Sequence, residues 1–251
     1  MNKVLIIVRP EGSAGLTWAN KLHLRDGSQA TAFEVNEVAR AIRDFGCEPL
    51  AYTSTCDGSN YYGKYLSKDI QVVSADKIYE MINEISVVVM VGTVAKAGTQ
   101  NAFMDGTFNH VGWRDYALND RFCGEVGLYK TYFSNFNIPI VFVSGDVAAC
   151  KEAEEEINGV KTLAVKKASC RGKATLIEGA CEKFYETCLD ALKSDVKASE
   201  PIELPISVKI YFSRTEYCAD AMRWYRSSAV RLDARTLEKK IEKITSLKDF
   251  T

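Results

Sequence analysis

Nine polar side chains stand where an α/β sheet gathers its chemistry: Arg9, Glu11, Thr53, Thr55, Asp57, Lys96, Asp105, His110 and Glu125. They fall in four segments, residues 9–15, 53–59, 93–98 and the stretch from Asp105 to Glu125. In open α/β sheets, ligands collect in the loops just past the carboxyl ends of the strands. Carboxylates, a guanidinium, an ammonium and one imidazole permit acid–base work, anion binding or oxygen ligation of a cation. Polar strand-end loops occur in any soluble protein, so these residues alone do not choose among the three. Cys56 follows Thr55, and Cys123 precedes Glu125 by two positions; either is a thiol nucleophile only if a neighbouring cation lowers its pKa. The ordinary expectation for both is a small, inert, buried side chain. His110 lies close to Asp105 in a glycine-rich loop, where a histidine is commonly a surface residue and otherwise an acid–base group.

The elements that must position these groups follow from hydrophobic period. Lys3–Val8 is an unbroken apolar run, as in a parallel strand buried on both faces, and it leads straight into Arg9, Pro10, Glu11 and Gly12. Residues 31–45 carry Val35, Val38, Ile42 and Phe45 at helical spacing, with Gly46 as the stop. Strands are expected at 48–53, 85–92, 138–143 and 161–165, and helices at 75–83, 125–136, 147–157 and 174–193. Asp146 is placed to cap the helix that follows it. Residues 100–124 read as hairpins and loops. After a proline-containing connector at 195–205, residues 206–212 alternate apolar and polar, and 234–244 carry Leu237, Ile241 and Ile244 on one helical face. Alternating strands and helices predict an α/β fold, a mainly parallel central sheet flanked by helices with a smaller C-terminal α+β layer. The division expected is a core over 1–194 and a C-terminal subdomain over 195–251.

Composition excludes several roles. Lys+Arg 32 against Asp+Glu 33 gives no electrostatic basis for nucleic acid or an acidic membrane. The longest apolar runs are too short to cross a bilayer. With no secretory leader ahead of the first strand, the expected location is the cytoplasm, and the eight cysteines, none in a C-x-x-C pair, are expected to be reduced. Only two histidines are present, His23 and His110, which is few for a zinc enzyme.

Several blocks resemble the zinc-dependent D-aminopeptidase family. They are VGTVAKA at 91–97, LNDR at 118–121, GEVGL at 124–128, IPIV at 138–141 and SGD at 144–146. Ala153, Glu154 and Glu155, and then Val165, Lys166, Lys167, Arg171 and Ala174, continue the likeness. The resemblance covers nearly the whole chain in the family's order. It implies a two-metal amide hydrolase assembled as a closed homo-oligomeric ring. The ligands implied are the acidic residues of a D-x-E-G turn, one histidine after each of the second and third strands, and the glutamate of G-E-x-G, with a catalytic histidine nearby. In this chain the turn reads Arg9, Pro10, Glu11, Gly12. The histidine positions fall on Thr55 and Val94, and the catalytic histidine on Asp105. Glu11 and Glu125 remain.

Two carboxylates without imidazoles make a poor zinc site, and a permanently charged arginine at a ligand position repels a metal. The expectation is that no metal or other cofactor is held and that Arg9 bridges Glu11 and Glu125 in the metal's place, although solvated loop charges would look the same in sequence. The leading reading is a metal-independent protein of amide or peptide chemistry, of hydrolase or acyl-transfer type. In it Asp105, Glu125, Glu11 and Arg9 are the catalytic candidates, and Lys96, Thr55, His110 and Cys56 contact a small peptide or amide-like ligand. The alternatives are a catalytically silent binding or regulatory homologue, favoured by the apolar Val94, and an amide hydrolase whose substitute metal sits on Glu11, Asp105 and Glu125.

Overall fold

A computed structural model of the chain describes residues 2–18, 25–54, 62–225 and 228–250. Strands β1 (Lys3–Val8), β2 (Glu48–Thr53), β4 (Ile85–Thr93), β7 (Ile140–Asp146) and β8 (Lys161–Cys170) run parallel. With β3 (Gln71–Val72) and β9 (Lys173–Leu176) at the edges, they form one seven-stranded sheet in the order β3-β2-β1-β4-β7-β8-β9. The apolar run of β1 divides its side chains between two cores. Val4, Ile6 and Val8 face α1 (Arg25–Asp44) and α5 (Phe184–Leu192), whereas Leu5 and Ile7 pack with Leu128, Tyr129 and Phe133 of α3 (Glu125–Ser134). Burial on both faces explains why β1 shows no polar alternation. Each such side chain contributes about 1.5–3 kcal/mol on leaving water.

A second, five-stranded antiparallel sheet has the order β11-β12-β10-β5-β6. Its strands are β5 (Trp113–Leu118), β6 (Arg121–Phe122), β10 (Ile206–Phe212), β11 (Ala229–Asp233) and β12 (Thr236–Ile241). Because β5 and β6 form a hairpin within the stretch expected to hold hairpins and loops, residues 195–251 do not build this layer alone. The helix expected over 234–244 is instead β12: Leu237 and Ile241 are four apart, a spacing that suits a helix and a strand face equally. Here they pair with Ile210 and Ile206 of the alternating strand β10. The helix of this layer is α6 (Thr215–Tyr225). The helix expected from 174 begins as β9, and Gly179, at φ +71°, turns the chain before α5. The remaining helices, α2 (Ala75–Glu80) and α4 (Val147–Glu156), carry side-chain caps. Asp146 caps α4 by accepting from the Ala149 N–H at 2.8 Å. No helix among the described residues is long and apolar enough to cross a membrane.

Candidate functional site

The turn after β1 is built for close approach. Pro10 opens a single 3-10 turn, where its fixed φ suits and its missing N–H costs nothing. Arg9 N–H donates to the Val91 carbonyl at 2.9 Å, tying the turn to the end of β4. A Cβ on Gly12 would lie 2.0 Å from the Gly92 carbonyl oxygen, and one on Gly92, at φ +73°, would lie 2.4 Å from the Arg9 oxygen. Two glycines therefore let the turn press onto β4 and direct Arg9 inward.

The Arg9 side chain then meets acceptors from four segments. Nε lies 3.3 Å from Glu11 Oε2 and 3.4 Å from Glu125 Oε1. Nη1 donates to the Ser54 carbonyl, and Nη2 to the Phe108 carbonyl at 3.3 Å. Arg9, Glu11 and Glu125 are each no more than 2% exposed. Glu125 is the first residue of α3, where the helix N-terminus favours negative charge. Its Oε2 accepts from Ser54 Oγ at 3.0 Å and its Oε1 from Phe108 N–H at 3.1 Å. One turn further along α3, the Tyr129 hydroxyl donates to Ser54 Oγ at 2.6 Å. Burial pushes the Glu125 carboxyl above its ordinary value and Glu11 adds to this, while Arg9 and the Ser54 and Phe108 donors pull it back.

A second internal cation holds the same turn from below. Lys166, on β8, is wholly buried, and its Nζ donates to the carbonyls of Glu11, Ser13 and Leu16 at 2.9, 2.7 and 2.8 Å. It also sits 3.8 Å from the centre of the Phe103 ring. Burial draws this ammonium down to about 7, with Glu34, Asp146 and Glu11 opposing. Glu34, on α1, accepts from Ala14 N–H at 2.6 Å, and burial pushes it up to about 8.

The remaining candidates lie outside this cluster. Asp105 accepts from Gly98 N–H at 2.8 Å and from Arg171 Nε at 2.7 Å. Burial would raise its pKa, but the Gly98 and Arg171 contacts outweigh it and hold the carboxyl below its usual range. His110, the one histidine among the described residues, is half-buried. Its pKa is lowered by burial and then by Arg9 and Arg171, with Glu11 and Asp105 opposing, so it feels both groups. Lys96 belongs elsewhere: it borders a cavity of about 570 Å³ with Lys151, Glu152, Lys167 and Val147, to which neither Arg9 nor Glu125 contributes. Its backbone N–H donates to Glu152 at 2.6 Å, and burial pushes that carboxyl up to about 7. Thr55 and Cys56 lie outside the described residues. Cys123 is buried and its thiol is pushed up to about 12, which makes it a poor nucleophile.

The zinc pair was tested against these donors. Val94, where the resemblance implies a histidine ligand, is apolar and buried, and the Arg9 guanidinium lies beside both Glu11 and Glu125. Among the described residues no group of three or more His, Cys, Asp or Glu side chains is arranged to hold a metal. A guanidinium and an isopropyl group offer zinc no electron pair. Sequence reasoning missed Ser54, Tyr129, Glu34 and Lys166. None left a usable signal, since Lys166 stands beside Lys167 in a strand that also carries Lys161 and Thr162.

Comparison with known proteins was then informative. The D-aminopeptidase peptidase family model matches residues 2–250. A D-aminopeptidase of Bacillus subtilis (strain 168) is 28% identical over 192 residues, 71% of this chain and 68% of that protein. Among solved structures, the Zn-dependent D-aminopeptidase DppA from Bacillus subtilis, described as a self-compartmentalizing protease, superposes with a TM-score of 0.83. The match covers 98% of this chain and 94% of that one at 23% identity, a likeness of fold.

Proposed function

Because the chain belongs to the D-aminopeptidase family, we propose that it is a zinc-independent member that binds a small peptide or amide-like ligand and does not hydrolyse it with metal. The observation that carries this reading is the Arg9 guanidinium, buried between Glu11 and Glu125 with its terminal nitrogens on the Ser54 and Phe108 carbonyls. A cation committed in this way neutralises the inherited carboxylates. It is not presented to a substrate oxyanion, which weakens the case for Arg9, Glu11 and Glu125 as reacting groups. Ligand contact is assigned to the outer groups His110 and Asp105. The assembly is a homo-oligomer, by analogy with the self-compartmentalizing neighbour, and the location is the cytoplasm.

The test pairs two measurements on the purified protein: release of D-alanine from D-alanyl-D-alanine with zinc supplied, and calorimetric titration with the same dipeptide. Binding without turnover is expected. Zinc-dependent turnover would sink the reading, and absence of both would remove the peptide ligand from it.

A second reading, metal-free catalysis, is favoured by one feature. His110 stands half-buried within the electrostatic reach of both Arg9 and Asp105, and burial favours its neutral form. Zinc-free turnover that His110→Ala abolishes would establish it.

A further inference from the structure

We infer that Glu11, Glu125 and the carbonyls of Ser54 and Phe108 form a cradle for a planar organic cation, with Arg9 as its resident occupant. On this view, removing the Arg9 side chain leaves a site that takes a small guanidinium compound from solution. The inference rests on the reading above, that the inherited metal position is filled from within.

Two sets of observations carry it. The first is the match of acceptors to a guanidinium. Two carboxylate oxygens lie beside Nε, and one carbonyl lies beside each terminal nitrogen. A flat, delocalised cation with donors fixed in a fork reaches the two carbonyls in this way, while the two carboxylates face its charge at ion-pair distance. A spherical ammonium of the same charge cannot reach all of them, and zinc prefers nitrogen and sulfur donors.

The second is that the walls are held without Arg9. Glu125 keeps Ser54 Oγ at 3.0 Å and Phe108 N–H at 3.1 Å, with Tyr129 fixing Ser54 in turn. The Glu11 backbone is held by Lys166 through three carbonyls of its turn. Gly12 and Gly92 lock that turn to β4 by close backbone approach. A cavity whose lining is fixed from outside stays open when its filling is removed, and a buried cation vacancy between carboxylates favours a replacement cation.

The atoms that Arg9→Ala removes beyond Cβ are those of ethylguanidinium. The experiment compares the thermal unfolding midpoint of the full-length wild type and R9A in ethylguanidinium, ethylammonium and zinc at millimolar concentrations. We expect R9A to unfold at a lower temperature. Ethylguanidinium at ten times its dissociation constant should recover about 2–4 °C or more, while the wild type does not respond. Ethylammonium should act at least tenfold more weakly, and R9A/E125Q should lose at least tenfold of the ethylguanidinium affinity. Should R9A not accumulate in folded form, it is refolded with and without ethylguanidinium. Recovery only with the compound supports the cradle, and equal failure in both overturns it. An R9A that ethylguanidinium leaves unmoved, an equal shift in the wild type, or a larger shift from zinc overturns it as well. Zinc-dependent dipeptide hydrolysis by the wild type would instead count against the functional reading alone.

Discussion

The inner cluster of Arg9, Glu11 and Glu125 and the outer group of Asp105, Arg171 and His110 use the same kinds of charge in opposite surroundings. Inside, every charged group is buried; Arg9 and Glu125 meet partners from several segments, and Glu11 lies beside the Arg9 guanidinium. Outside, Asp105 and Arg171 form one bridge at 2.7 Å, with the arginine side chain 55% exposed. Water shares the outer charges and screens them, so their pairing contributes little and they remain available to a ligand. The inner charges are withdrawn from water and rely on one another and on the Ser54 and Phe108 polar groups, so their pairing decides stability. Burial, more than residue type, therefore separates structural charge from usable charge here.

The largest expected effect breaks the inner cluster. Arg9→Met leaves two buried carboxylates without their cation and should cost about 3–5 kcal/mol in urea unfolding. A loss below about 1 kcal/mol would mean that the cluster behaves like the outer bridge.

An intermediate effect sharpens the contrast through pH. Glu34 has a folded pKa of about 8 against an ordinary 4.5. Between those values the folded state holds one more proton than the unfolded state. Its contribution is therefore full below pH 4.5 and is lost as pH rises toward 8, at up to about 1.4 kcal/mol per pH unit. Lys166 works in the other direction: its folded pKa of about 7 lies below 10.5, so stability rises with pH across that window. Glu34→Gln should accordingly flatten the decline of unfolding free energy measured at pH 5, 6.5 and 8. An unchanged slope would show that Glu34 is ionised in the fold.

The smallest effect belongs to the outer bridge. Asp105→Asn should change stability by less than about 1 kcal/mol, while weakening the proposed peptide binding in the same calorimetric titration. Lost stability with intact binding would reverse the assignment of the two regions.

Much of the frame was legible in the chain because its signals are local. The apolar run of β1, the cap at Asp146 and the alternation of β10 each rest on a few adjacent residues. β12 was not legible, because spacing alone does not separate a short strand from a helix and pairing with β10 decided it. A hairpin in the region of β5 and β6 was expected, but its membership of a sheet with β10, β11 and β12 was not, because those strands come from the far end of the chain.

At the site, residue types alone carried the expectation that metal chemistry is missing. Arginine and valine stand where the family resemblance implies metal ligands, only two histidines are present, and guanidinium charge cannot be removed at ordinary pH. What the sequence left open was whether Arg9 points into solvent or inward. Only the tertiary structure decided that. The acceptors that receive it come from residues 11, 54, 108 and 125, and segments so far apart in sequence become a single electrostatic environment only when the sheet and α3 bring them together.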